Sequence, residues 1–295
     1  MRYRDLSART KLRVTGSDRL RFINGQTSND ARKATADRAQ QTCMLDAKGH
    51  LQAFAFLFAT DDTIWIDTDE DVPLAPRLER YIIADDVQVE DVSAQFALLH
   101  VLDERRPNFP DATFVQSNER VGQRGWDLWV EAKKLPRLEQ ELTTTGQELS
   151  QADWELLRIE NGVPAWGREL TTNILPPEAG LDKNAIDYEK GCYIGQETIS
   201  RLKMSGQLRQ QLRGVVSSSE LSASAALHLG DKIAGQITSA IFSPRLDEWI
   251  GLALIKRSYT EPGTELIGPN HTMVRVTSLP FVTSNRALSS VDVPR

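Results

Sequence analysis

One eight-residue segment combines a lysine, two glycines, a cysteine and an aromatic ring: Lys190-Gly191-Cys192-Tyr193-Ile194-Gly195-Gln196-Glu197. Apolar residues at helical spacing follow, Ile199 and Leu202, and they predict a helix that begins near the end of the segment. Backbone N–H groups at a helix start favour anions and thiolates, and Lys190 adds positive charge. The segment therefore predicts that Cys192 is a reactive thiol or a contact at a ligand pocket. The alternative is a small buried cysteine beside a tight turn.

A second segment, residues 158–170, contains a carboxylate on an apolar helix face. Glu160 follows Leu156 and Leu157 at helical spacing, so it shares their side of the helix. A carboxylate in apolar surroundings requires a partner. A ligand with two adjacent N–H donors would satisfy it. The alternatives are an internal ion pair with Arg158 or Arg168, or a solvated helix end.

A third segment, residues 22–30, is a polar loop that follows a short helix over Arg19–Asn24 ended by Gly25. The side chains of Asn24, Gln26 and Asn29 can line a polar pocket. The alternative is that these groups cap neighbouring backbone, as such residues do in turns.

Composition narrows the class of protein. The 295 residues carry 41 acidic and 35 basic side chains, and the formal net charge of −6 argues against nucleic-acid binding by overall charge. No apolar run approaches the roughly 20 residues of a membrane helix, and the N-terminus lacks a signal-peptide pattern. We therefore expect a cytoplasmic protein that contacts neither membrane nor nucleic acid directly. With two cysteines and four scattered histidines, no metal site is predicted.

Local patterns predict the architecture. Strands and helices alternate in the N-terminal third, including a hairpin over residues 42–58 whose turn ends in Gly49, which indicates an α+β sheet domain with helices on one face. Ser150 and Asp153 predict a helix start. From about Ser205, short strands separated by glycines indicate an antiparallel barrel or sandwich. We expect an α+β region over 1–205, as one unit or two intertwined subdomains, a barrel over 206–283 and a loose tail over 284–295.

Taken together, these segments resemble the YgfZ family, folate-binding relatives of the glycine-cleavage T-protein (aminomethyltransferase). The resemblance covers nearly the whole chain and rests on a set of short motifs: Leu12–Gly16, Gly25–Asp30, Glu160–Gly162, Trp166-Gly167, Leu175–Glu178, Leu181–Lys183 and Lys190–Glu197. It implies a T-protein (GcvT)-like fold, with ferredoxin-like α+β portions around a central opening and a small C-terminal antiparallel β-barrel.

The resemblance also implies a ligand and a role. The ligand would be tetrahydrofolate or a derivative, and the role would be to support the assembly or repair of iron–sulfur enzymes, including enzymes that modify tRNA. The partners would be iron–sulfur client proteins or assembly factors. Glu160 would hold the pterin edge, and Trp166 would stack on an aromatic part of the ligand. The remaining implied site residues are Asn24, Gln26 and Asn29 at the border of the pocket, Tyr193 and Cys192 at its mouth, and Arg201 or Lys203 at the glutamate tail.

One departure from the T-protein pattern bears on activity. T-proteins carry Gly-Gly-x-x-Asp-Asp after the hairpin, whereas the matching stretch here is Lys48-Gly49-His50-Leu51-Gln52-Ala53. Neither Gln52 nor Ala53 can exchange a proton, and acid–base help is worth about 10²–10⁴ in rate. His50 lies on the same side of an alternating strand as Gln52 and can replace the missing group, or it is a solvated hairpin residue. The departure argues against aminomethyl transfer; the alternative function is a folate-dependent one-carbon transferase or demethylase.

Overall fold

Two five-stranded sheets and a closed six-stranded barrel make up the computed structural model, which describes residues 1–282. The loose tail expected at 284–295 lies outside the described residues. Among the helices of residues 1–282, none has the length and apolar character that crossing a lipid bilayer requires.

The first sheet holds most of the N-terminal strands and is antiparallel throughout, in the order β3-β4-β5-β2-β6. The elements of this part of the chain are β1 (Arg2–Asp5), β2 (Thr10–Thr15), α1 (Arg19–Gln26), β3 (Gln40–Leu45), β4 (Leu51–Ala59), β5 (Ile64–Thr68), α2 (Leu74–Glu79) and β6 (Gln88–Asp91). The predicted hairpin is confirmed as β3 and β4, and Gly49 supplies the positive φ of +85° that its turn requires.

The second sheet takes its first strand from the very start of the chain. Its order is β10-β1-β7-β9-β8, so the chain begins in this sheet, builds the first sheet and then returns. The elements are β7 (Phe96–Leu102), β8 (Ala112–Asn118), β9 (Gly125–Glu131), α3 (Leu135–Thr145), β10 (Gln147–Glu148) and α4 (Gln151–Glu160). The predicted cap of α4 is confirmed, because Ser150 and Asp153 exchange side-chain-to-backbone hydrogen bonds.

The C-terminal strands close into the barrel in the order β11-β14-β13-β12-β15-β16. The elements are α5 (Gln196–Ser205), β11 (Gln210–Ser217), β12 (Ala226–Leu229), β13 (Lys232–Ser243), β14 (Glu248–Lys256), β15 (Glu265–Ile267) and β16 (Met273–Thr277). Short 3₁₀ helices cover Ala31–Lys33, Ala132–Lys134, Pro176–Ala179, Leu181–Lys183, Arg257–Tyr259 and Pro269–His271. The predicted α+β region followed by an antiparallel barrel is confirmed.

Helix α1 extends further than the sequence predicts. Gly25 does not end the helix, which continues to Gln26 and stops at Thr27. Both the backbone N–H and the hydroxyl of Thr27 donate to the carbonyl of Ile23, at 3.1 and 2.9 Å. These two bonds cap the last turn, so the stop signal is the threonine rather than the glycine.

The two sheets pack face to face. Helices α1 and α2 cover one face of the first sheet, as predicted, through Phe22 and Leu78 among other apolar residues. The opposite face meets the second sheet through a cluster of aromatic rings: Phe58, Trp65, Phe96, Phe114 and Trp129. The pleat of β4 places its alternate side chains on this face, which includes Phe58.

A buried ion cluster joins the two sheets beside these rings. The Arg120 guanidinium donates to Asp67 of β5 and to Asp127 of β9, each at 2.8 Å at its shortest. His100 lies 2.7 Å from Asp127. Burial would raise the pKa of Asp127, but Arg120 and His100 outweigh it and hold that pKa below its usual value. The cluster therefore links β5 of the first sheet to β9 of the second through Arg120.

Candidate functional site: a central cleft

A cleft of about 1200 Å³ lies where the two sheets, α4 and the barrel meet. Its wall includes β4 of the first sheet, the segment after β1, helix α4 with the turn that follows it, the 3₁₀ segments over 176–184, and the start of β11 in the barrel. The central opening that the resemblance implies is confirmed. Ligand pockets commonly occupy about 300–1,000 Å³, so the cleft is large enough for a cofactor-sized molecule.

Aromatic side chains form part of the wall. Phe54 and Phe56 lie on the same face of β4 because strand side chains alternate, and their ring centroids are 5.2 Å apart in an edge-to-face arrangement. Trp166 is half-buried on the same wall, where a tight turn closed by bonds between Ala165, Gly167 and Leu170 holds it. These rings offer a surface on which a flat ligand can stack.

Several charged groups of the cleft wall already form ion pairs within the protein. Arg9 donates to Asp67 at 2.5 Å and to Asp69 at 2.9 Å. Arg158 binds both oxygens of Glu155, at 2.8 and 2.6 Å. Such bidentate pairs orient the wall and leave few of these groups for a ligand.

Two cationic side chains on the cleft wall form no ion pair or hydrogen bond within residues 1–282. Arg168 and Lys183 are exposed to the cleft, and no hydrogen bond or ion pair of either side chain is formed within residues 1–282. Cations without protein partners at the rim of a pocket suit an anionic ligand group.

Glu178 is the buried carboxylate of the cleft wall. It is 4% exposed and lies in the 3₁₀ helix Pro176–Ala179. One carboxylate oxygen, Oε2, accepts from the Leu175 N–H at 3.3 Å and from Gln210 Nε2 at 3.4 Å. Within the described residues, Oε1 has no partner.

Glu160, the predicted anchor of a ligand, does not line the cleft. It is 5% exposed, and Ser243 of β13 donates its hydroxyl to Glu160 Oε1 at 2.6 Å. Neither predicted ion pair forms, because Arg158 binds Glu155 and Glu169 instead. The structure thus gives Glu160 a partner within the protein, and a ligand contact of this residue stays a prediction.

The predicted polar border of the pocket lies behind the wall. Asn24 accepts from the Ala31 N–H, and Gln26 accepts from Arg77, so both side chains serve the fold. Asn29 donates to the carbonyls of Gln41 and Asn184, two residues that do line the cleft. Asn29 therefore supports the wall from behind, as the capping alternative predicts.

The segment 190–197 is organised around a buried ammonium group rather than around the cysteine. Lys190 Nζ donates to the carbonyls of Asn24, Thr27 and Asn29 at 2.6, 2.5 and 2.9 Å. Burial lowers the pKa of Lys190 to about 8. The positive charge of Lys190, which was expected beside the Cys192 thiol, therefore points into the protein. Its hydrogen bonds hold the segment against the end of α1.

Cys192 itself is exposed, so the alternative of a small buried cysteine is wrong, and a reactive thiol stays a prediction. It does not line the cleft. Tyr193 is buried beside the Lys190 ammonium, which lies 5.1 Å from its ring centroid, and it too is absent from the cleft wall. Gly195 has φ +86°, and a Cβ there would lie 2.6 Å from the carbonyl oxygen of Asp46, so this glycine permits the hairpin turn to pack on the start of α5.

The two predicted contacts of a ligand tail point elsewhere. Arg201 pairs with Glu197 one helical turn away, at 2.5 Å. Lys203 lies over the ring of Tyr188, 3.8 Å from its centroid. Neither residue lines the cleft, so a contact of Arg201 or Lys203 with a ligand tail stays a prediction, whereas Arg168 and Lys183 lie on the cleft wall.

Residues 48–53, which depart from the T-protein pattern, contain no carboxylate. Ala53 is fully buried, and Gln52 donates to the carbonyl of its neighbour Leu51 at 3.1 Å. His50 lies 3.4 Å from Asp46 within the hairpin turn. No group of three or more His, Cys, Asp or Glu side chains in residues 1–282 is arranged to hold a metal ion.

The sequence signal for a fixed position of Glu178 is its place in Pro176-Pro177-Glu178-Ala179-Gly180. The two prolines that precede Glu178 restrict the backbone of this short helix. Gly180 ends the helix with a φ of +74°. Arg168 and Lys183 gave no comparable signal, since exposed cations are common on any surface.

Comparison with known proteins agrees with this architecture. Residues 210–282 match the family model described as the glycine cleavage T-protein C-terminal barrel domain. An aminomethyltransferase of Halalkalibacterium halodurans is 25% identical over 299 residues, which cover 89% of this chain and 80% of the relative. An aminomethyltransferase of Parafrankia sp. is 26% identical over 321 residues, which cover 95% and 86%.

A solved structure is similar along almost the whole chain. The glycine cleavage system aminomethyltransferase T from Bartonella henselae aligns with a TM-score of 0.84 at 17% identity and covers 95% of this chain and 86% of that one. The chain has the fold of the T-protein, matches its C-terminal barrel domain over residues 210–282, and is similar over most of its length to aminomethyltransferases.

Proposed function

We propose that this protein binds a reduced folate in the central cleft and takes part in one-carbon transfer to or from an amine. The observation that supports the proposal most directly is the cleft wall, where the aromatic rings of Phe56 and Trp166 occur together with the uncommitted cations Arg168 and Lys183. A folate has a flat ring at one end and carboxylates at the other, and the wall offers a partner for each end.

The similarity to aminomethyltransferases supports one-carbon chemistry as the use of such a ligand. The protein would bind and orient the folate and exclude water from the ring. A proton acceptor would come from the cleft rather than from β4, where Gln52 and Ala53 stand. The folate, when bound, would supply the one-carbon carrier.

The binding proposal is tested by anaerobic calorimetric titration of tetrahydrofolate into the purified chain. We expect saturable binding of one ligand per chain, and we expect Trp166→Ala to weaken it about tenfold, because a stacked aromatic pair is worth roughly 0.5–1.5 kcal/mol beyond its buried area. The matched control is Trp249→Ala, in a barrel ring pair away from the cleft wall. Absence of binding to the native chain would overturn the proposal.

The transfer proposal is tested by incubating the protein with tetrahydrofolate and candidate methylamines. Multiple turnovers that produce methyl-tetrahydrofolate together with the demethylated amine would support it, because the methyl group then passes from nitrogen to the folate without a change of oxidation level. Binding without any turnover on amines would contradict it and leave the ligand assignment intact.

A second candidate function rests on a different observation. Gln52 and Ala53 leave β4 without an acid–base group, and Cys192 lies exposed in the segment that resembles the YgfZ family. Both features support a folate-binding accessory protein for iron–sulfur enzymes, including enzymes that modify tRNA, with client enzymes or assembly factors as partners.

The accessory function is tested by complementation of a strain that lacks the gene, with client-enzyme activity as the readout. We expect Cys192→Ala to retain folate binding and to abolish support of the clients. Full complementation by that variant would remove the thiol from the role.

A further inference from the structure

A row of mainly apolar side chains crosses the outer face of the barrel. The strand register places Ile233 of β13 opposite His228 of β12. His228 in turn lies opposite Ile267 of β15, and Ile267 lies opposite Met273 of β16. Ile233 is 53% exposed and Met273 is 52% exposed, and Leu229 beside the row is 45% exposed. Single exposed apolar residues are common on any protein, but a contiguous row of them indicates an interaction surface.

The pleat of the strands turns this row outward. The neighbouring residues Ala234, Leu266 and Val274 are buried in the core of the barrel. Because side chains alternate between the two faces of a strand, Ile233, Ile267 and Met273 point away from that core. The barrel is closed, so its strands offer no free edge for pairing with another chain. A partner can therefore reach these four strands only through their outer side chains.

A border of charged side chains runs along one side of the row. Asp231, Glu265 and Arg275 each lie two residues from the row on the same side of it, and Lys232 is next to Asp231. All four are exposed, and within residues 1–282 none of their side chains forms an ion pair or a hydrogen bond. The border thus carries two acids and two bases. It complements a copy of itself, whereas half of it would repel a partner of uniform charge.

We propose that this outer face of the barrel joins two copies of the chain in a symmetric dimer. In a two-fold contact the same surface serves both copies, so the apolar row of one chain packs on the row of the other. The acids of each border then lie near the bases of the other border. Neighbouring strands are about 4.8 Å apart, so a row across four strands is roughly 15 Å long and the interface is small. We therefore expect a reversible dimer with a dissociation constant on the order of 10 µM.

The contact uses no residue of the central cleft. Ile233, Ile267 and Met273 are absent from the cleft wall, and so are the four charged residues of the border. Dimer formation and folate binding can therefore be measured on the same variants and can fail separately.

Sedimentation velocity of the full chain over about 1–200 µM tests the dimer. We expect the native chain to shift from monomer to dimer over this range. Met273→Glu should weaken the association about 10- to 100-fold, because it places an unpaired charge inside the contact. The matched control is Met204→Glu, the same change at a methionine of α5 that is 89% exposed, and it should associate like the native chain. Circular dichroism establishes that each variant is folded.

Charge variants test whether the partner is a second copy. Asp231→Lys combined with Glu265→Lys makes the border wholly basic. Lys232→Glu combined with Arg275→Glu makes it wholly acidic. Each double variant should stay monomeric on its own at low salt, because its two copies repel each other, whereas an equimolar mixture of the two should dimerise. All four positions are exposed, so the substitutions should leave the fold intact.

Three results would overturn the dimer. The first is a native chain that remains monomeric at about 200 µM. The second is a dimer that Met273→Glu does not weaken, because the contact then lies elsewhere. The third is a mixture of the basic and acidic variants that does not associate, because the two borders then do not face each other.

Discussion

Ser243 of β13 donates its hydroxyl to Glu160 at the end of α4, and the 2.6 Å bond joins this helix to the barrel. Phe281 adds to the same junction, because its backbone N–H donates to the Glu160 carbonyl at 2.9 Å. The end of α4 is therefore a structural contact between two parts of the molecule that enclose the cleft.

Ser243→Ala is expected to destabilise the protein by about 1–3 kcal/mol, because it leaves a buried carboxylate without its donor. Urea denaturation followed by circular dichroism measures the change. Ser222→Ala removes a hydroxyl from an exposed position and serves as the control, with an expected change below about 0.5 kcal/mol. Equal stability of the two variants would show that the bond between Ser243 and Glu160 contributes little.

Acid stability should depend on the ion cluster between the sheets. The folded pKa of Asp127 lies below its value of about 3.9 in an unfolded chain, so its contribution to stability is present above pH 4 and is lost as the pH falls through the folded pKa. We expect Asp127→Asn to lower the free energy of unfolding at pH 7 by about 3–5 kcal/mol, because Arg120 loses a buried partner.

Urea denaturation of the native chain and of Asp127→Asn at pH 7 and at pH 3 checks this sign. The difference between the two proteins should be smaller at pH 3 than at pH 7. Asp61→Asn, at an exposed residue, is the control. A difference that grew toward low pH would contradict the assigned direction of the pKa shift.

The cations of the cleft should determine how strongly a ligand with carboxylates binds. We expect Arg168→Gln and Lys183→Gln each to weaken tetrahydrofolate binding about three- to tenfold and to reduce its dependence on salt. Tetrahydropterin, which lacks the glutamate tail, should bind the native chain and both variants alike. Calorimetry at two salt concentrations provides the measurement.

Arg201→Gln and Lys203→Gln provide the comparison for these two variants, because both side chains lie on α5 outside the cleft wall. A larger loss of affinity in the α5 variants than in the cleft variants would assign the binding site for the glutamate tail of the folate to α5.

The two cysteines should differ sharply in reactivity. Cys192 is exposed, whereas Cys43 is fully buried in β3 and burial raises the pKa of its thiol to about 12. We expect iodoacetamide at pH 8 to modify one thiol per native chain, at Cys192, and two per chain after denaturation. Mass spectrometry of the intact protein and of its peptides measures both, with Cys192→Ala as the control. Modification of Cys43 in the native chain would contradict its burial.

The sequence alone determined the elements whose signals are local. The cap of Ser150 on Asp153, the hairpin turn at Gly49 and the glycine-separated strands of the barrel each depend on residues a few positions apart, so their geometry follows from the chain itself. The tertiary structure decided where the chemically important side chains point. Glu160 meets Ser243, 83 residues away, and Lys190 reaches the carbonyl of Asn24, 166 residues away. Burial requires each charge to find a partner, and only the packing of distant elements determines which partner lies within reach.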